Sequence, residues 1–161
     1  MNRIELKKRL PYLYLLVFLG LSFLIIFLAF APADQSTAQS GTIVNLILAV
    51  FRWFDYVPDA NALDTISLLV RKLIGHFGLF MVDGVFGYLT FKGFVTSKRS
   101  WLPVLLASGT MLLLASAAEL AQLVASGRAG LLSDVILNMA GAMIGVSLMY
   151  WIIYRKEART T

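Results

Sequence analysis

The sequence predicts an all-α membrane protein with four transmembrane helices and a short amphipathic interfacial helix in the first extracytoplasmic loop. Of the 161 residues, 59% are hydrophobic and only 14% are charged. The mean hydropathy of +0.80 is far above that of an ordinary soluble domain. Apolar stretches of about 20 residues can cross a bilayer as helices, and the sequence contains four such stretches.

The composition excludes several kinds of chemistry. There is no cysteine, which excludes disulfides, thiolate catalysis and cysteine-ligated metals. A single histidine excludes a histidine-rich metal cage, and we expect neither a metal site nor a cofactor. The formal net charge is +5, but lysine and arginine lie in short runs between apolar stretches. This distribution favours membrane orientation over nucleic-acid binding, and the expected partners are membrane lipids.

The first span is predicted over residues 12–31. No charged residue occurs from Tyr12 to Phe30, and a positively charged segment precedes this stretch. A cleaved signal peptide is the alternative, but its apolar region is usually shorter, about 7 to 15 residues. Residues 29–31 resemble a cleavage site, although Pro32 follows them directly. We therefore interpret the span as an uncleaved anchor.

The loop after the first span is predicted to hold a second, shorter helix. Residues 32–42 are polar and rich in Ser and Gln, which predicts a turn or a flexible link. Apolar residues then recur at helical spacing over residues 43–54. About twelve residues are too few to cross a bilayer, so we expect this helix to lie in the outer interface, with Trp53 and Tyr56 beside it.

Three further spans are predicted over residues 68–92, 101–126 and 134–154. From Leu73 to Phe91 the second span is interrupted only by His76 and Asp83. The third span contains one charged residue, and the fourth contains only Asp134, at its first position. The sequence contains no internal repeat and no soluble domain. Residues 1–161 are therefore predicted to form a single membrane domain.

Capping residues mark the expected ends of these helices. The helix of the second span is expected to begin before residue 68, with Asp64 or Thr65 as its N-terminal cap. The third ends where Gly127 can supply a left-handed C-terminal cap. The fourth is expected to be capped by Ser133 or Asp134.

Lysine and arginine are distributed unequally between the two sides of the membrane. One side, which holds both termini and the loop between the second and third spans, carries ten of them, and the other side carries four. Because basic residues are retained in the cytoplasm, both termini are predicted to be cytoplasmic. The loops at residues 32–67 and 127–133 are then extracytoplasmic. The predicted location is the bacterial cytoplasmic (inner) membrane, which the chain crosses several times.

Polar residues within and beside the predicted spans indicate a site. An ionisable group near the centre of a span costs about 2.5 to 3.5 kcal/mol to insert, so such residues usually face protein or water. Helical spacing places them on one face of each helix, at a depth within the outer leaflet. We expect one outward-facing polar cavity formed by Arg71, Lys72, His76, Glu119, Gln122, Arg128, Asp134 and Asn138.

A purely structural role is the alternative for this set. Arg128 and Asp134 would then close a short loop by ion pairing. Arg71 and Lys72 would reach lipid phosphate, and Glu119 would pair with one of them.

Other positions in the spans predict helix contacts. Gly141 and Gly145 have the spacing of a helix-packing seam, and Asn138 can hydrogen-bond across that seam. Asp83 lies about 18 Å inward of Arg71, near the membrane midplane. It is expected either to be protonated and hydrogen-bonded to another helix or to belong to a proton path.

Taken in order, these residues resemble the VanZ-like family of integral membrane proteins. The resemblance extends from the first span to the fourth and includes the Ser/Gln-rich segment 35–40. Its most specific part is an ordered set that consists of Arg71-Lys72, His76-Phe77, Glu119, Gln122, Arg128, Asp134, Asn138, Gly141 and Gly145. The resemblance implies a role in the cell envelope, because the family's namesake raises resistance to teicoplanin. That antibiotic acts outside the cytoplasmic membrane on lipid-linked wall precursor.

Non-catalytic binding or remodelling of a lipid-linked envelope component is the leading functional hypothesis. Arg71, Lys72 and Arg128 would hold an anionic head group through charge-assisted hydrogen bonds. The ligand would be a lipid-linked cell-wall precursor, and resistance to teicoplanin would be one outcome.

Two other functions remain open at this stage. The first is a membrane enzyme acting on polyprenyl phosphate or diphosphate lipids, with His76, Glu119 and Asp134 as its catalytic residues. The second is a proton-coupled lipid or solute transporter that uses His76, Asp83 and Glu119.

Overall fold

The computed structural model describes residues 3–95, 99–125 and 130–159. All regular structure in these three segments is helical. In chain order the elements are α1 (Arg3–Ala29), α2 (Ala33–Arg52), α3 (Ala60–Val70), a π-helical segment (Arg71–Gly78), α4 (Leu79–Phe94), α5 (Leu102–Val124) and α6 (Leu132–Ala158).

The predicted fold class is confirmed. Four helical stretches are long and apolar enough to cross a membrane, and one shorter apolar helix, Gly41–Arg52, lies between the first and the second. Large hydrophobic side chains remain exposed on the outer faces of these stretches, as expected where lipid surrounds the protein. The four stretches are Lys8–Ala29, Ala60–Phe94, Leu102–Val124 and Leu132–Ala158.

The second membrane-spanning stretch begins earlier than the sequence predicts. Asp59 caps it, since its carboxylate accepts a hydrogen bond from the backbone N–H of Ala62 at 2.8 Å. The predicted caps, Asp64 and Thr65, lie inside α3. Thr65 instead donates its hydroxyl to the backbone carbonyl of Asn61. Spacing alone did not separate Asp59 from Asp64, because both precede apolar residues.

The start of α2 also corrects the sequence-based prediction. A turn or link was expected over residues 32–42, but the helix begins at Ala33, directly after Pro32. Proline fixes its own φ near the helical value, so it is well suited to precede a helix. The helix ends at Arg52, before the predicted end at residue 54, and Asp55 in the following turn has a φ of 54°. The position of α2 in the membrane interface stays a prediction.

Close contact between α6 and the second membrane-spanning stretch positions the site. A Cβ atom on Gly141 would overlap the backbone carbonyl oxygen of Phe77, and one on Gly145 would overlap that of Met81. Both glycines therefore let the two backbones touch. Next to this contact, Phe80 and Ala142 belong to the buried core, which also includes residues from α1 and α5.

Candidate functional site

Six polar side chains meet at the end of the bundle where α1 and α5 end and where α6 begins; we call this the network end. They come from the π-helical segment, the last turns of α5 and the first turns of α6. π-Helical turns are rare and occur frequently at functional sites. The side chains, which we call the polar network, are Lys72, His76, Glu119, Gln122, Asp134 and Asn138.

Glu119 is the acceptor shared by several members of the polar network. Its Oε1 accepts hydrogen bonds from Gln122 Nε2 at 3.3 Å and from Asn138 Nδ2 at 3.4 Å. Its Oε2 accepts the backbone N–H of Leu131 at 3.1 Å. Only 5% of Glu119 is exposed. These donors satisfy a carboxylate that would otherwise be costly to bury.

The bond from Leu131 also explains how α6 begins. Leu131 is the N-terminal capping position, and no side-chain hydrogen bond from within the described part of α6 caps the helix there. Glu119 of α5 supplies the acceptor instead and lies near the positive end of the helix dipole. The prediction that Ser133 or Asp134 caps this helix is therefore wrong. Both residues lie in the first turn of α6.

Asp134 pairs with a lysine from the π-helical segment. Lys72 Nζ lies 2.8 Å from Asp134 Oδ1, and Ser133 Oγ donates to the same oxygen at 3.3 Å. The side chain of Lys72 is 33% exposed, whereas that of Asp134 is 9% exposed. The pairing of Asp134 with Arg128 that the structural alternative requires lies outside the described residues, as does Arg128 itself. Gly127, the predicted C-terminal cap of the third span, also lies outside them.

His76 occupies the centre of the polar network. Its Nδ1 lies 3.1 Å from Asn138 Oδ1 and 3.7 Å from Glu119 Oε1, and its Nε2 lies 3.9 Å from Asp134 Oδ2. Asn138 directs its amide N–H to Glu119, so its carbonyl oxygen faces the imidazole. That oxygen only accepts, and Nδ1 must therefore carry the proton. Nε2 is then the ring nitrogen that faces Asp134.

A cavity of about 220 Å³ adjoins the polar network. Most of its lining is apolar and includes Ile25 and Leu28 of α1 together with Leu79 and Phe80 of α4. Four polar residues also line it, and all four belong to the sequence-predicted set: Arg71, His76, Gln122 and Asn138. The cavity is thus amphipathic, with a basic side chain among the groups that line it.

Asp83 lies on α4 and does not belong to the polar network. It is fully buried, and its Oδ2 accepts a hydrogen bond from Ser22 Oγ of α1 at 2.9 Å. Its other oxygen has no hydrogen-bond partner among the described residues. The expected hydrogen bond to another helix is therefore present, and it joins α4 to α1. Sequence reasoning missed Ser22, although a serine in an otherwise apolar first span is a recognisable signal.

The structure therefore brings together most of the predicted site residues. Six of them form the polar network, and Arg71 lines the adjoining cavity. Sequence reasoning missed the apolar lining, because α1 residues such as Ile25 and Leu28 look like any other residues of a hydrophobic span. It also missed the backbone N–H of Leu131, which no side-chain pattern reveals.

These features define an integral membrane protein with a buried polar site at one end of a helical bundle. The VanZ/LLP1 family model matches residues 12–154, nearly the whole chain. The protein belongs to the VanZ/LLP1 family. Comparisons with curated proteins and with solved structures gave no match.

The tautomer of His76 can be tested directly, because it is the only histidine in the sequence. We expect ¹⁵N NMR of histidine-labelled protein to show a protonated Nδ1 at neutral pH. In Asn138→Ala the acceptor for this proton is lost, and we expect protonation to shift towards Nε2. Ser147→Ala, at an exposed position of the same helix, serves as the control. An unprotonated Nδ1 in the wild type would contradict the assigned network.

Proposed function

We propose that this protein binds a lipid-linked component of the bacterial cell envelope without transforming it. The lipid's anionic head group would lie against the polar network, and the first carbons of its chain would lie against the apolar residues of the cavity. The observation that carries this proposal is the mixed lining of the cavity. Apolar residues of α1 and α4 face the same cavity as Arg71, His76, Gln122 and Asn138.

The size of the cavity limits which part of a lipid it can enclose. Its volume of about 220 Å³ is below the range of about 300–1,000 Å³ typical of sites that enclose a drug-sized ligand. A polyprenyl chain is much larger than this space. The cavity therefore suits the junction between head group and chain, and the rest of the chain would remain in the surrounding bilayer.

The charges of the site favour a phosphate head group. Arg71 lines the cavity, and guanidinium groups bind phosphate through paired, charge-assisted hydrogen bonds. Lys72 is held by Asp134, so its charge is largely committed to that ion pair. Arg71 is then the main described cation for the ligand, and it is a more specific candidate than the sequence alone indicated.

The proposed orientation places the network end outside the cytoplasm. Its support is the distribution of basic residues, with ten on the side of both termini and four on the other. The bacterial cytoplasmic membrane is the proposed location, with both termini inside. In this orientation the cavity opens to the leaflet in which lipid-linked wall precursors are exposed after export.

Orientation can be measured by labelling single cysteines, since the natural sequence has none. We expect Asp64→Cys, on the exposed surface of α3, to react in intact cells with a thiol reagent that does not cross membranes. Glu157→Cys, near the end of α6, should react only after the cells are opened. The reverse pattern would place the network end in the cytoplasm.

Lipid binding can be tested with purified protein in detergent and undecaprenyl phosphate as the probe. Arg71→Ala should weaken binding at least about tenfold, the loss expected when a charge-assisted hydrogen bond is removed. Gly75→Leu should also weaken binding, because Gly75 lines the cavity and has open space where a side chain would begin.

Matched controls separate these effects from general damage. Arg52→Ala removes an exposed arginine from α2, and Gly109→Leu adds the same side chain at a position of α5 that also has open space. Both control variants should bind like the wild type. If Gly75→Leu bound as tightly as the wild type, the ligand would not occupy this cavity.

A role in antibiotic response follows from the proposed ligand. We expect expression in a susceptible Gram-positive host to raise the minimum inhibitory concentration of teicoplanin. Asn138→Leu should abolish the increase, because it removes the hydrogen bonds to both His76 and Glu119. Ser147→Leu on the exposed face of α6 should preserve it. An unchanged sensitivity with the wild type would exclude glycopeptide resistance for this protein while leaving lipid binding to be decided by the binding assay.

Hydrolysis of a polyprenyl diphosphate is a second candidate function. The convergence of His76, Glu119 and Asp134 within the polar network favours it, since a fixed imidazole beside carboxylates is a common acid–base arrangement. Release of phosphate from undecaprenyl diphosphate by the wild type, and its loss in His76→Gln, would favour this candidate over simple binding.

A further inference from the structure

We propose that the polar network holds a divalent cation between His76, Glu119 and Asp134. Each of these residues offers one ligand atom, and the three atoms lie within 4.8 Å of one another. Glu119 and Asp134 are buried, and His76 is partly buried. The three residues come from three separate helical elements, so the site exists only in the folded bundle.

One distance within this group is too long for a hydrogen bond and short enough for two ligands of one ion. His76 Nε2 and Asp134 Oδ2 are 3.9 Å apart, beyond the range of about 2.7–3.2 Å for an N–H···O bond. They are also closer than about 4.4 Å, the separation of two groups bonded to one tetrahedral water at hydrogen-bond length. A cation about 2.0–2.2 Å from each atom fits between them.

The hydrogen bond to Asn138 orients the imidazole for such an ion. With the Asn138 carbonyl oxygen beside Nδ1, Nε2 is the ring nitrogen that faces Asp134 Oδ2. A metal ion between Nε2 and Oδ2 would be bound by both atoms.

The surrounding hydrogen bonds match those that usually support metal ligands. Histidines that bind a metal almost always donate the other ring N–H to an acceptor, as His76 does to Asn138. Asp134 uses Oδ1 for Lys72, which leaves Oδ2 directed at the imidazole. Glu119 is fixed by Gln122 and by the backbone of Leu131. The cation would therefore meet ligands whose orientations are already set.

A bound cation would also change how the site meets a phosphate. Glu119 and Asp134 contribute two carboxylates to the polar network. A divalent ion between them would offset their negative charge. This would let a phosphate approach a site that otherwise presents two carboxylates to it. That last step rests on the proposed function, but cation binding does not.

The ligand types indicate which cations fit. Imidazole together with carboxylates suits Zn²⁺ or Mn²⁺, whereas Mg²⁺ and Ca²⁺ prefer sites made of oxygen alone. Three protein ligands leave at least one position open, as in zinc sites that bind a water or a substrate. The single histidine excludes a histidine-rich cage, but it does not exclude a mixed site of this kind.

Cation binding can be measured on chelator-treated full-length protein, purified without a histidine tag, by equilibrium dialysis with Zn²⁺ or Mn²⁺. We expect one ion per chain, lost in His76→Gln and Asp134→Asn. Asn138→Ala should weaken binding about 10- to 100-fold, because it removes the support of a ligand. Asp64→Asn, which alters an exposed acid of α3, should leave binding unchanged.

A second measurement keeps the test valid if a variant fails to fold. In ¹⁵N-histidine-labelled wild type, addition of Zn²⁺ should shift the Nε2 resonance and leave Nδ1 protonated. Absence of bound ion in the wild type, or binding that His76→Gln does not change, would overturn the proposal.

Lipid binding with and without EDTA then separates this proposal from the proposed function. Cation binding without any binding of undecaprenyl phosphate would uphold the metal site and refute the lipid-binding function. If the protein binds no cation and binds lipid equally well in EDTA, the metal site would be refuted and the lipid-binding function upheld.

Discussion

Glu119 places a carboxylate inside a bundle of apolar helices, where a charge is costly unless hydrogen bonds and opposite charges surround it. Its two oxygens accept from Gln122, Asn138 and the backbone of Leu131. These bonds connect the end of α5 to the beginning of α6 at two points. The position of α6, and with it the position of Asp134, therefore depends on how this one carboxylate is satisfied.

The contact between α6 and the π-helical segment determines how His76 meets the other polar groups. Gly141 and Gly145 allow the backbones to touch near Phe77 and Met81. At this spacing Asn138 reaches both His76 and Glu119, which connects the three helical elements through one side-chain amide. The apolar packing and the polar site are parts of the same arrangement, and a shift of one would disturb the other.

Helical spacing was sufficient to predict which residues would share a face. It grouped His76 with Lys72 and Glu119 with Gln122, and hydropathy predicted the four spans. Spacing does not reveal how each helix is rotated against its neighbours. For that reason the sequence could not predict that Lys72 pairs with Asp134 or that Ser22 donates to Asp83.

The elements that were mispredicted have local causes. Ser and Gln residues after Pro32 indicated a link, yet they are compatible with a helix. Pro32, whose φ is already near the helical value, directly precedes the helix start. The π-helical segment has no sequence signature, because it differs from an α-helix in its hydrogen bonds and not in its residue preferences. The apolar lining of the cavity was hidden in the same way, since residues that face a ligand and residues that face lipid are equally hydrophobic.

The proposed function requires that the amphipathic cavity, which is lined by residues of α1, the π-helical segment, α4, α5 and α6, receives the polar end of a lipid. The most direct test is photolabelling in vesicles with a polyprenyl phosphate that carries a diazirine beside the phosphate, followed by mapping of the labelled residues. We expect labels within Arg71–Gly78 and the last turns of α5, and we expect them to decrease when unlabelled lipid competes. Labels confined to the opposite end of the bundle, near Trp151 and Arg155, would contradict it.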